Sequence, residues 1–364
     1  MHDPLLIQIG ENVDQLVTLD VLSYGVIGPL YRAARARQEG PLCLEAAHRL
    51  RDRLHPGTTA LITTGMILPG HHPYGETDGP IGTAVLARAL ALGVRVKILV
   101  IAESELAGLL AALLRTAELQ VVDSATFHQE SGSHRPVACV LPLSCNTAEA
   151  SEQASQYLET YNVQAVVAIE KAGANSKGIY HMVGGMDISD GVAKGAALFH
   201  EARRRGILSI GVGDRGNELG FGLVADAVQS LLPFGRDCHC PCGGGVADET
   251  PADMTVPAVI SNWGAYGIAT CLAALAEDPD LLHTPGLEVD LLRTAVREGG
   301  VDGMTGRVRA SADGVTSDVN AGMVALLGEI YRAQSARRPS PFSTPLIGRS
   351  RSGSMKSSVE PCQD

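Results

Sequence analysis

The chain has 364 residues, 45% hydrophobic and only 4% aromatic, with a formal net charge of −11. That is enough apolar material for a large core built mostly of Ala, Val, Leu and Ile, and the acidic balance sets aside nucleic acid and membrane surfaces as partners. No apolar run has the length to span a bilayer. The start, Met1 to Pro4, reads as neither a signal nor a transit peptide, so the expected address is cytoplasmic, where the eight cysteines would be free thiols or metal ligands.

In chain order, the first fifty residues read as helical, with apolar residues at helical spacing over Ile27 to Arg37 and Leu42 to Leu54. From residue 58 short β-branched runs alternate with Ala- and Leu-rich helical runs. Strands are expected at Thr58 to Thr64, Val94 to Ile101, Leu119 to Val122, Val137 to Leu141, Gln164 to Ile169, Ile207 to Val212 and Val256 to Ile260. Helices are expected at Pro80 to Leu92, Ser104 to Thr116, Thr147 to Thr160, Val192 to Arg205, Ala265 to Ala276, Val289 to Arg297 and Ala321 to Ala333. This alternation predicts an α/β fold: a mainly parallel, doubly wound sheet with helices on both faces. One domain should cover 1–335, with a helical N-terminal segment over 1–55. The Ser-, Arg- and Pro-rich tail 336–364 reads as disordered.

Three unusual loops each follow the end of an expected strand, where open α/β sheets bind ligands. The first contains Gly75-Glu76-Thr77-Asp78-Gly79-Pro80. It sets two carboxylates at the mouth of a helix, and Asp78 could simply be the N-cap; His71 and His72 read as solvated loop residues. The second runs from Glu170-Lys171 through Asn175, Lys177 and His181 to Asp190. A Glu at the end of an apolar strand needs a partner, and Lys171 is the nearest candidate in sequence. The third reads Gly211-Val212-Gly213-Asp214-Arg215-Gly216-Asn217-Glu218. Its glycines match a dinucleotide fingerprint, but Asp214 and Glu218 would repel a pyrophosphate. An acidic glycine-rich loop suits a divalent cation or a substrate ammonium better.

Two further segments stand out. Cys238-His239-Cys240-Pro241-Cys242 could bind zinc, although no distant second ligand pair is visible and one residue between cysteines is tight spacing. Ser261-Asn262-Trp263-Gly264-Ala265-Tyr266-Gly267 follows a short strand and holds the chain's single Trp, which either closes a pocket or anchors packing.

Taken together, GETDGP, the Glu170-Lys171 pair, GVGDRGNELGFG, SNWGAYG, Asp302-Gly303-Met304-Thr305-Gly306 and Ala312-Asp313-Gly314 resemble the D-glutamate cyclase family, in order over roughly residues 10 to 333. Three positions depart from that family's pattern: Arg215 stands where it usually has a glycine, Lys171 where it often has Arg, and Tyr24-Gly25 where it tends to have Arg-Gly. The resemblance implies conversion of D-glutamate to 5-oxo-D-proline and water, by attack of the amine on the γ-carboxyl group. Such a reaction needs a base, a way to offset carboxylate charge, and a pocket that holds the chain folded. On that reading Glu170, Asp214 and Glu218 are catalytic, and Asp214 and Glu218 could hold Mn²⁺ or Mg²⁺. Glu76, Thr77, Asp78, Lys171, Asn175, Asn217 and Asn262 would bind substrate, with Lys177 and Arg215 as further carboxylate ligands. The expected partner is an acidic amino acid, and a homo-oligomer is compatible with the chain. Another metal-dependent enzyme of small carboxylates, or a non-catalytic amino acid sensor, would use the same loops.

Overall fold

The computed structural model describes residues 3–68, 70–130 and 135–335; the expected disordered tail lies outside them. Three helices open the chain: α1 (Pro4–Val17), α2 (Ile27–Arg35) and α3 (Leu42–Arg53). Then come β1 (Thr59–Thr64), α4 (Pro80–Gly93), β2 (Lys97–Ala102), α5 (Ala107–Thr116), β3 (Gln120–Val121), α6 (Ser124–Gln129), β4 (Val137–Pro142) and α7 (Thr147–Thr160). The second half holds β5 (Val163–Ile169), α8 (Ala196–Arg205), β6 (Leu208–Gly213), α9 (Ala225–Leu231), β7 (Met254–Pro257), α10 (Ser261–Ala276), α11 (Pro285–Arg297), a small hairpin of β8 (Ser311–Ala312) and β9 (Val315–Thr316), and α12 (Ser317–Ser335).

The large sheet has seven strands in the order β3-β4-β2-β1-β5-β6-β7, and every pairing is parallel. The expected α/β class holds. Strands β1, β2, β5 and β6 are buried along nearly their whole length, because helices cover both faces. Alternate residues feed two separate cores. Ala60, Ile62, Ile98, Val100, Val167 and Ile210 pack with α3, α4, α5 and α10, whereas Leu61, Leu99, Ile101, Val166 and Ala168 pack with α7 and α8. The chain leaves β1 toward β2 on one side and returns to pair β5 on the other, so the order reverses between β1 and β5. The carboxyl ends of those two strands therefore open a crevice.

Most expected elements lie within a few residues of their place. The exceptions are instructive. The helix expected from Ala265 begins four residues earlier: Ser261 to Gly267 form the first turns of α10, buried throughout. Trp263 is an anchor, 2% exposed, with its indole N–H donating to Asn320 Oδ1 at 2.7 Å. The glycines of the third loop do not open a helix either; the chain passes from β6 through a 3-10 turn at Phe221–Val224 before α9 begins. The dinucleotide fingerprint thus lacks the helix N-terminus it would need.

Candidate functional site

Four strands deliver the site, and their ends are wired together by reciprocal capping. The sequence leaves open whether Asp78 caps its own helix, α4, or serves the site. Instead it accepts from the backbone N–H groups of Ser261 (3.0 Å) and Asn262 (2.8 Å), capping α10 across the crevice. Asn262 returns the favour: its Oδ1 accepts from Gly79 N–H (2.8 Å) and Gly82 N–H (2.7 Å), capping α4, and its Nδ2 donates to Thr77 O. Each helix leaves unpaired N–H groups at its first turn, and each is satisfied by the other's lead-in residue. Gly79 has φ +85°, and a Cβ there would sit 2.7 Å from the Cβ of Glu170, so only glycine brings the two loops this close.

On this frame the acidic side chains converge. Glu76, Asp78, Asp214, Glu218 and Asp313 are buried and Glu170 is half-buried. Oxygens of Glu170, Asp214 and Glu218 lie within 4.8 Å of one another. Glu218 turns back to accept from Gly216 N–H at 2.6 Å, Glu170 accepts from the Ser261 hydroxyl, and Asp214 Oδ1 and Glu76 Oε1 are buried with no hydrogen-bond partner. Glu170 and Asp313 adopt left-handed backbone (φ 47° and 49°), which non-glycine residues hold only when their surroundings compel it. The DGMTG segment closes one side: Thr77 N–H donates to Val301 O, and a Cβ on Gly303 would fall 2.0 Å from Glu76 Oε2.

Crowding of like charge away from water moves the protonation equilibria upward. Burial, then the charges of Asp78 and Asp214, push Glu76 to about 8. Burial and Asp214 push Asp78 to about 7, against its three backbone hydrogen bonds. Glu170 is raised well above the usual range by burial and then by Asp214 and Glu218. Glu218 is raised by burial and Asp214, and Asp313 by burial and Asp78. The cation facing this cluster is Arg215, paired with Asp214 and Asp313 at 3.2 Å each and stacked over the Tyr24 ring at 5.4 Å. Asp214 and Arg215 form the polar end of a cavity of ≈ 330 Å³ whose other walls include Tyr24, Ile27, Val183, Leu232 and Met304.

Several expected ligands are engaged elsewhere. Lys171 does not pair with Glu170 and is not presented to a ligand: fully buried, it bonds Glu103 and donates to Gly65 O at 2.9 Å. Thr77 donates its hydroxyl to Ser311 O. Asn175 donates to Gly245 O, accepts from the N–H groups of Lys177 and Ile179, and exposed Lys177 lies beside it against Gly244. Asn217 donates to His181 O, while its Oδ1 is unpartnered. His72 is buried rather than solvated. Three participants escaped the sequence reading: Asp313, Ser261 and Glu103. Glu103 carried the same signal as Glu170, a Glu directly after an apolar strand, and Asp313 stands before a glycine in Ala312-Asp313-Gly314.

A second ligand-rich group joins His181 to Cys238, Cys240 and Cys242. The distant partner those cysteines seemed to lack comes from the loop after β5. No helix among the described residues is long and apolar enough to cross a membrane.

A family model described as "D-glutamate cyclase-like, C-terminal" matches residues 29–328. The human protein named "D-glutamate cyclase, mitochondrial" is 31% identical over 236 residues, which is 64% of this chain and 36% of that protein. The chain thus spans about a third of the length of that curated relative. A solved structure titled "Structure of MAR1 Ribonuclease from Caenorhabditis elegans" aligns with 82% of this chain and 100% of its own at 8% identity and a TM-score of 0.20, too slight a likeness to carry any argument.

Proposed function

As the chain belongs to the D-glutamate cyclase-like family, we propose that it is a dehydrating cyclase, a lyase that turns D-glutamate into 5-oxo-D-proline and water. The observation that carries this reading is the convergence of buried carboxylates with raised proton affinity around Asp214, the member of the cluster that lines a small cavity. In the reaction the amine nitrogen bonds the γ-carboxyl carbon and one γ-oxygen leaves as water. Two protons depart from the ammonium and two arrive on that oxygen, so the site must both take and give protons. Carboxylates whose proton affinity burial raises can do either, whereas ordinary exposed ones could only accept.

The roles divide as follows. Glu170, at the strained strand end, removes a proton from the ammonium and passes it toward the leaving oxygen. Asp214 and Glu218 flank the ammonium, and Asp214 Oδ1 is free to receive it. Glu76 and Asp78 complete the acidic wall. Arg215, lining the cavity, binds the α-carboxylate, which offsets charge that would otherwise repel an anionic substrate. Apolar walls from Tyr24 to Met304 favour the folded substrate with its ends together. The oxygens of Glu170, Asp214 and Glu218 also suit a hard divalent cation such as Mn²⁺ or Mg²⁺. Such an ion, when bound, would supply Lewis acidity to the γ-carboxylate.

The test is a panel of D- and L-glutamate, D- and L-aspartate and glutamine, with and without Mn²⁺, followed by loss of primary amine and by loss of one water in mass. Cyclisation of D-glutamate is the expected result. Ligand-induced thermal stabilisation without turnover would instead identify a sensor, and turnover of another carboxylate a different enzyme.

A further inference from the structure

Between α9 and β7 the chain makes a long excursion without helix or strand. Within it, Cys238 Sγ stands 3.4 Å from Cys240 Sγ and 3.3 Å from Cys242 Sγ. His181, from the loop after β5, brings Nε2 to 3.2 Å from Cys240 Sγ and 3.8 Å from Cys242 Sγ. All four ligand atoms lie within 4.8 Å of one another. We propose that His181, Cys238, Cys240 and Cys242 form a structural zinc site that fastens this excursion to the loop after β5.

The geometry argues for one shared ion. With Zn–S near 2.3 Å, the edge of a regular tetrahedron is about 3.8 Å, close to the spacings found. A disulfide would need its sulfurs at about 2.05 Å, and it would strand the third thiol and the imidazole. The surroundings are arranged for sulfur that carries charge: N–H groups of Cys242, Gly244 and the Asn175 side chain point at Cys240 Sγ (3.4 Å), Cys242 Sγ (3.3 Å) and Cys242 Sγ (3.5 Å). His239, the imidazole between the cysteines, is turned away and packs on Phe234 with ring centroids 4.3 Å apart. The ligand set therefore draws its nitrogen from a segment distant in sequence, which ties two loops together as a chain-local cluster could not. Three thiolates and an imidazole are soft donors that select zinc over Mg²⁺ or Mn²⁺. Four protein ligands leave no open position, so the ion's task is structural.

The site also reaches the acidic cluster. His181 O accepts from Asn217 Nδ2 at 3.2 Å, and Asn217 adjoins Glu218. Fastening His181 thus holds the third loop in register.

The test is elemental analysis of protein expressed in zinc-supplemented medium and purified without chelator, needing no substrate. One zinc per chain is expected, lost in His181→Ala and in Cys242→Ser, and retained in Cys145→Ser, which alters an exposed thiol outside the set. Wild-type protein exchanged into Co²⁺ should show thiolate charge transfer and the intense visible bands of a tetrahedral ion. Should the variants fail to fold, the cobalt spectrum of the wild type decides alone. Zinc-free wild type with freely reacting thiols, an octahedral cobalt spectrum, or zinc undiminished in both His181→Ala and Cys242→Ser would overturn the proposal.

Discussion

Lys171 and Glu170 are neighbours in the chain yet sit in opposite electrostatic regimes. Lys171 is buried against Glu103, whose carboxylate also accepts from Ala193 N–H at 2.8 Å. One cation meets one anion, and the pair braces the loop after β1, the end of β2 and the loop after β5. Around Glu170, by contrast, Glu76, Asp78, Asp214, Glu218 and Asp313 crowd together, with Arg215 paired to Asp214 and Asp313. A balanced pair needs nothing more. An unbalanced cluster stays buried only by holding protons or by receiving a cation, and the proposed cationic guest would take the second part.

The brace is the place to break this comparison hardest. Lys171→Met leaves Glu103 buried without its countercharge, and the expected loss is about 3–5 kcal/mol, read from urea unfolding. The double variant Lys171→Met with Glu103→Leu should recover much of that loss, because the orphaned charge goes with its partner. A single variant as stable as wild type would mean the pair is not the brace described here.

The cluster should respond in the opposite sense. Asp214→Asn removes the charge that raises Glu76, Asp78, Glu170, Glu218 and Asp313 alike. Turnover in the cyclisation assay should fall by about 10²–10⁴-fold, while the unfolding free energy changes by less than about 1 kcal/mol, since lost pairing with Arg215 offsets relieved repulsion. Full activity with lowered stability would make Asp214 a structural residue.

These two regions also show how much the sequence could say. The loops were legible because each breaks a pattern: a carboxylate at the end of an apolar strand, or glycines beside acids where a phosphate loop would have none. Their convergence followed from the parallel order of the strands, which the alternation of elements predicts. What stayed hidden depends on pairings across the fold. Nothing local shows that Asp78 caps α10, that Asn262 caps α4, or that Lys171 turns to Glu103 rather than to its neighbour. The sequence pattern starts the helix at Ala265 and not Ser261 because the glycine and Trp before it are poor helix formers; tertiary packing makes them helical, as Gly82 and Gly264 allow close approaches that larger residues would block.

A gentler perturbation is pH. Glu76 has its proton affinity raised to about 8 and Asp78 to about 7, from ordinary values of 4.5 and 3.8. The folded state thus binds more protons than the unfolded one between about pH 4 and pH 8, and stability falls as pH rises through that window. This contribution is complete below about pH 4 and is lost above about pH 8. Burial raises the proton affinity of Glu170 and Glu218 as well, and a divalent cation held by their oxygens competes with those protons. The gain in melting temperature from Mn²⁺ should therefore be larger at about pH 8.5 than at about pH 6, and at a hundredfold excess over Kd the ion would contribute about 2.7 kcal/mol. Equal gains at both values would mean the carboxylates that meet the ion are already ionised.

The smallest effect sets the baseline against which the buried charges are judged. Glu329 and Arg332 pair on α12 three residues apart, their side chains 68% and 57% exposed. Water screens that attraction and the long side chains lose freedom in holding it. Arg332→Ala should leave the urea midpoint close to that of wild type in the same titration. If it instead cost as much as Lys171→Met, burial would not be what distinguishes the brace, and the argument from uncompensated buried charge to a cationic guest would lose its footing.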